Sequence, residues 1–175
     1  MGIGDLDRCV IRDASEEDLP VIVKIYNHYV ETSTATFDEE PQSLEQRREW
    51  FRRHGDRYPV LVAELNGVVV GWAAISPFSD RPAYRLTVED SVYVHSEFTG
   101  RGVGSQLLQE LIARARRLDY HRIVARIAEE NEGSVRLHRR FGFKEVGTME
   151  EVGYKFGHWL NVTIMMLPLN QSSGS

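Results

Sequence analysis

Three kinds of residue in the middle of the chain carry chemistry. Glu89 and Asp90 stand side by side in T-V-E-D-S-V-Y-V, where Val88, Val92, Val94 and Tyr93 give the β-branched and aromatic content of a strand. Neighbours on a strand point to opposite faces, so the two carboxylates address different faces. Partial burial would raise a carboxyl toward neutrality, as a base at working pH requires. Just beyond, Gly100, Gly102 and Gly104 remove side chains where the backbone must turn sharply and approach a ligand. Leu107, Leu108, Leu111 and Ile112 follow at helical spacing and make one apolar face. The free N–H groups that open such a helix suit a phosphate or pyrophosphate. Further on, His138 in S-V-R-L-H-R-R-F-G-F offers an imidazole that titrates near neutral pH. It is an acid–base candidate, or a helix histidine packed against the sheet or solvated.

Two readings of the glycine turn are excluded. It lacks the G-x-x-x-x-G-K-[ST] spacing of a nucleoside-triphosphate loop. No acidic residue closes a second strand at the distance a dinucleotide fold demands. The 175 residues predict one domain, 8–169, followed by a disordered tail, 170–175. A net charge of −5 argues against nonspecific nucleic-acid or anionic-membrane binding. Cys9 is the one cysteine, so no internal disulfide is expected, and the histidines lack metal-ligand spacing. Without an apolar run of membrane length or a signal-peptide pattern, a cytoplasmic protein is expected.

The elements that must position these groups follow in order. Cys9–Arg12 reads as a strand, and Ser15 with Asp18 as a capping box for a helix burying Leu19, Val21, Ile22, Ile25, Tyr26 and Tyr29. The polar segment from Glu31 to Pro41, with Phe37 inside it, reads as a loop that walls a pocket. A second helix opens at Ser43 with Gln46 completing the box, and its arginines read as a solvated face. Strands Tyr58–Leu65 and Val68–Ile75 flank the hairpin turn Asn66-Gly67, with Gly71 at a bulge or close approach. After the central strand, turn and helix to Arg117 come strand Ile123–Ile127, helix Asn131–Arg140 with Asn131 as N-cap, and a left-handed cap at Gly142. Glu145–Met149 and Asn161–Leu167 pair as the last strands around a G-Y-K-F-G-H-W link. The order βαα-βββ-α-β-α-ββ is an α/β class with a mixed sheet and helices on both faces.

R-G-x-G, a long helix, a strand and then N-E-G-S-V-R-L-H-R-R-F-G-F resemble the Gcn5-related N-acetyltransferase superfamily. T-V-E-D-S-V-Y-V, S-V-R-L-H and G-Y-K-x-G-x-W resemble its phosphinothricin/methionine sulfoximine branch. The resemblance covers roughly Val10 to Pro168. It implies an acetyl-CoA-dependent enzyme that acetylates the α-amino group of a small amino acid or analogue: phosphinothricin, methionine sulfoximine or methionine sulfone. It implies Glu89 as general base, directly or through one water, and His138 where many members carry a tyrosine serving the leaving thiolate. Acetyl-CoA would be held by main-chain groups of Val92, Tyr93 and Val94, by the turn and helix start at Gly100, Arg101, Gly102, Val103, Gly104 and Ser105, and by Asn131. Thr99 stands where Gln or Arg is frequent, with Arg101 inside the turn instead. The acceptor loop is implied at Ser79, Asp80, Arg81 and Pro82 and at Glu89, Asp90 and Ser91. A desolvated acceptor carboxylate calls for an arginine, for which Arg81 and Arg85 are the local choices. Phe37, Tyr84 and Tyr93 could wall the acceptor's side chain, and Lys155 could reach the site, from this chain or from a partner subunit. No metal is implied, and a homodimer is. Two rivals remain: acetylation of a peptide or protein N-terminus, and a module that binds acyl-CoA without catalysis.

Overall fold

The structure, a computed structural model, describes residues 9–169. The tail expected to be disordered lies outside the described residues, as does residue 8. The element order is the expected one: β1 (Cys9–Asp13), α1 (Leu19–Thr32), α2 (Leu44–His54), β2 (Val60–Leu65), β3 (Val68–Pro77), β4 (Thr87–Val94), α3 (Val103–Arg117), β5 (Arg122–Ala128), α4 (Glu132–Arg140), β6 (Lys144–Lys155) and β7 (His158–Pro168). The strands form one seven-stranded sheet in the order β1-β2-β3-β4-β5-β7-β6, with β4 and β5 parallel and the other pairs antiparallel.

Alternation along the strands builds two cores. On β3, Ala73 and Ile75 face α3 with Leu107, Leu108 and Leu111, while Trp72 and Ala74 face α1 with Ile22, Ile25 and Tyr26. The same alternation on β4 sends Val88 and Val92 to the α3 side and Tyr93 to the α1 side. A Cβ at Gly71 would come within 3.1 Å of both Leu107 Cδ1 and the Tyr93 carbonyl, so a side chain there would push α3 or β4 away by a few tenths of an ångström. The β2–β3 register also shifts there, so Gly71 serves as both bulge and close approach. Asn66 and Gly67 have φ of 51° and 81°, the pair of positive values a type I′ hairpin needs.

Three local expectations are corrected. Arg47 on α2 is not solvated but 2 % exposed, its guanidinium 4.4–5.3 Å from the ring centroids of Tyr26, Trp50 and Trp72. It lies on the apolar stripe Leu44–Arg47–Phe51–His54, and three aromatic faces compensate a burial that holds its pKa down. The 153–159 link is not a separate connection. β6 runs through Lys155 and β7 begins at His158, leaving Phe156 and Gly157 as a two-residue turn with φ of 52° and 80°. Asn131 makes no side-chain cap to α4, because its amide is spent elsewhere, as described below.

Candidate functional site

The site grows from a break in the sheet. β4 and β5 pair only at Thr87–Arg122, Val88–Ile123 and Glu89–Val124, although β4 continues to Val94 and β5 to Ala128. Beyond Glu89 the two strands diverge. The His95 N–H donates to the Val70 carbonyl on the β3 side, so strand alternation turns the amides of Val92 and Val94 into the opening. At its far end stands α3. Its first intrahelical bond runs from the Gln106 N–H to the Gly102 carbonyl, so the amides of Val103, Gly104 and Ser105 have no intrahelical acceptor. Gly100 and Gly102, with φ of 74° and 82°, make the turn that aims them. The opening continues into a cleft of about 990 Å3 lined from β4, β5, α3, α4 and the loop after α1.

Two charged pairs flank the opening on opposite faces. On the α1 face the Glu89 Oε2 lies 3.2 Å from Arg126 Nη2 of β5. Burial raises the Glu89 pKa; Arg126 pulls it back down, and Asp90 adds to the rise. On the α4 face Asp90 Oδ2 lies 2.7 Å from His138 Nε2, both side chains at most 5 % exposed. The His138 Nδ1 lies 2.7 Å from the Ser134 carbonyl. A carbonyl and a carboxylate only accept, so this geometry favours the protonated ring, in which both nitrogens donate. Burial opposes that charge, but Asp90 and the Ser134 carbonyl together outweigh it and the pKa is raised. Glu89 and Asp90 thus address different faces, as strand alternation requires.

Thr34 to Phe37 wall the cleft, and the segment from Ser33 is held from α1, β4, β6 and the β5–α4 turn. Tyr26 of α1 and Thr36 share a 2.7 Å hydroxyl hydrogen bond. The Tyr93 O–H donates to the Ala35 carbonyl at 3.1 Å. Lys155 of β6, 2 % exposed, donates to the carbonyls of Ser33 at 2.8 Å and Thr36 at 2.7 Å. Asn131 Nδ2 donates to Thr34 Oγ1 and to the Ala128 and Glu129 carbonyls at 2.9–3.0 Å. Lys155 therefore reaches the wall from its own chain and not the cleft itself. The Phe37 ring rests on Gly153 of β6.

Residues 22–143 match the model of the acetyltransferase (GNAT) family. The chain belongs to that family. It is 46 % identical over 162 residues to an L-methionine sulfoximine/L-methionine sulfone acetyltransferase of Pseudomonas paraeruginosa, covering 91 % of this chain and 94 % of the relative. A phosphinothricin acetyltransferase of Sinorhizobium meliloti, solved in complex with acetyl-CoA, superposes with a TM-score of 0.91 at 38 % identity, covering 94 % of this chain and 90 % of that one. A ribosomal-protein-alanine N-acetyltransferase of Brucella melitensis superposes at 0.89 with 44 % identity, covering 91 % and 99 %.

For a GNAT chain the residues fit acetyl-CoA. Unpaired amides on β4 suit the amide-bearing pantetheine arm, and unpaired amides at the start of α3 suit the diphosphate. Among the sequence-derived candidates, Phe37, Glu89, Asp90, Ser91, Val92, Tyr93 and Val94 line the cleft, as do Gly100, Gly102, Val103, Gly104, Ser105, Asn131 and His138. Arg101 does not; its guanidinium lies 5.2 Å from the Phe98 ring centroid. Ser79, Asp80, Arg81 and Pro82 lie in the β3–β4 connection outside the lining, with Asp80, Arg81 and Pro82 exposed. Arg85 is exposed there, and Tyr84 packs on Phe78. Sequence reading missed Arg126, Arg136 and Arg140, all on the cleft wall. A lone charge inside the apolar run Ile123 to Ala128 was the available signal for the first, and the i,i+4 spacing for the other two. Among the described residues no group of three His, Cys, Asp or Glu could hold a metal, and no helix is long and apolar enough to cross a membrane.

Proposed function

We propose that this protein transfers the acetyl group of acetyl-CoA to the α-amino group of a small amino acid or analogue of the methionine sulfoximine, methionine sulfone and phosphinothricin class. The observation that carries the reading is a half-buried carboxylate, Glu89, beside an opening whose strand and helix amides lack partners. Acetyl-CoA supplies an activated acyl thioester. The chain's residues do the rest. Amides of Val103, Gly104 and Ser105 hold the diphosphate, with Arg136 and Arg140 on the same wall. The Val92 and Val94 amides grip the arm and offer a donor to developing negative charge on oxygen. Glu89 takes a proton from the acceptor's ammonium, since only the free amine attacks. His138, with both nitrogens committed, fixes Asp90 and the spacing between β4 and α4.

Thiol release from acetyl-CoA, followed with methionine sulfoximine, methionine sulfone, phosphinothricin, ordinary amino acids and short peptides, tests this reading. Turnover confined to peptides would replace it with N-terminal acetylation, the reading that the likeness to the Brucella enzyme supports. Acetyl-CoA binding without turnover of any acceptor would leave only the binding module.

The same reading includes a homodimer and a cytoplasmic setting. Support for the dimer comes from the β6–β7 hairpin, which exposes Val146, Val152, Tyr154, Phe156 and Trp159, while Met149 and Val152 of the same strand line the cleft. Light scattering on the wild type and on Trp159→Glu tests it; a monomeric wild type would refute it.

A further inference from the structure

The Glu89–Arg126 ion pair stands where β4 and β5 part. Glu89 is the last β4 residue paired with β5, and Arg126 sits two residues beyond its partner Val124, on the same face. That places the guanidinium on the lip of the opening. It packs 5.4 Å from the Phe78 ring centroid, and Glu89 is its one ion-pair partner among the described residues. The side chain is 44 % exposed and lines the cleft, and one contact to Glu89 leaves donors of its five-donor fork unused. A carboxylate and a guanidinium side by side on one wall form a template for the inverse pair. A free α-amino acid carries that inverse pair, an ammonium and a carboxylate joined through one carbon.

We propose that Arg126 is the acceptor's α-carboxylate subsite, taking it on its fork while Glu89 receives the ammonium. This deepens the amino-acid reading above and rests on it. An acceptor seated this way exchanges one ion pair for two, so the wall loses no charge compensation when substrate enters. The amine is then held beside its base. Selection falls on free amino acids, because in a peptide the first α-carboxylate is an amide and gives the fork only a carbonyl.

The test is a matched set of acceptors: methionine sulfone, its carboxamide, and the amine lacking the carboxyl group. Wild type should favour the acid over the carboxamide by about 30- to 100-fold in kcat/KM, the range expected of a charge-assisted bidentate contact. Arg126→Gln should abolish most of that preference while leaving the KM for acetyl-CoA and the thermal midpoint near wild type. Arg126→Lys, which keeps the charge and loses the fork, should fall between. If Arg126→Gln lowers acid and carboxamide by the same factor, Arg126 acts only on Glu89 and the subsite is overturned. A wild type active on no free amino acid would overturn the subsite and the amino-acid reading together, so the two failures are distinguishable.

Discussion

Gly153→Ala tests whether the Phe37 ring is a wall of the acceptor side of the cleft. A Cβ at Gly153 would lie 2.3 Å and 2.5 Å from two ring carbons of Phe37, where ordinary contact needs about 3.5–4.0 Å. The ring must therefore retreat by roughly 1.2–1.7 Å. It is free to do so, being 41 % exposed and outside both cores. Gly153 lies outside the left-handed region, so alanine strains no backbone there and gains roughly 0.4–1 kcal/mol from the unfolded chain. Stability should stay within about 1 kcal/mol of wild type. A ring displaced by that distance loses most of its dispersion contact with an acceptor. That is about 1 kcal/mol, or five- to tenfold in kcat/KM for the acceptor. The assay is steady-state thiol release with each substrate varied in turn, on Gly153→Ala, Phe37→Ala and the double variant. The KM for acetyl-CoA should not move, and the double variant should be no worse than Phe37→Ala, because one ring carries both effects. Unchanged acceptor kinetics, or additive losses, would refute the assignment.

Glu89→Gln should cut kcat by about a hundredfold or more while acetyl-CoA binding persists. In wild type, burial holds the Glu89 pKa up, so kcat/KM should climb with pH through a limb above the ordinary carboxylate range; a limb at the ordinary range would contradict this. Lys155→Met leaves the Ser33 and Thr36 carbonyls without their charged donor, at a cost of about 2–4 kcal/mol, or roughly 4–16 °C in thermal midpoint. A midpoint within experimental error of wild type would show that Lys155 does not hold the wall. His138 has a folded pKa above its unfolded value, so its pairing with Asp90 stabilises fully below about pH 6.5 and the gain is lost as pH rises through the folded value. The stability gap between wild type and His138→Asn, measured by urea unfolding, should shrink from pH 5.5 to pH 9. A constant gap would mean that the ring is neutral.

Much of the fold was readable because its signals are local. The Ser15–Asp18 and Ser43–Gln46 boxes, the Asn66-Gly67 turn and the three-four spacing of Leu107, Leu108, Leu111 and Ile112 each act within a few residues. The glycine turn was readable for the same reason. What escaped depends on partners distant in sequence. Arg47 looks like one more surface arginine until Trp72 and Tyr26 close over it. Asn131 has the right residue type for a cap, yet its amide binds Thr34, 97 positions away. Lys155 grips carbonyls about 120 positions earlier, and nothing in G-Y-K-F-G states where those lie. Arg126 was passed over because a strand-borne charge reads as surface until the neighbouring strand is seen to veer off.

That veering has a consequence for the sheet itself. Other sheets confine unfilled hydrogen-bonding borders to their rims; this one carries such a border in its middle, at Val92 and Val94. With the recess vacant, those two amides should trade hydrogen for deuterium nearly as fast as loop amides, despite standing between buried strands. A guest that fills the missing rungs would knit β1–β4 to β5–β7 into one continuous lattice. The melting temperature should then rise with the guest's concentration, and exchange at those two amides should slow toward that of the paired strands.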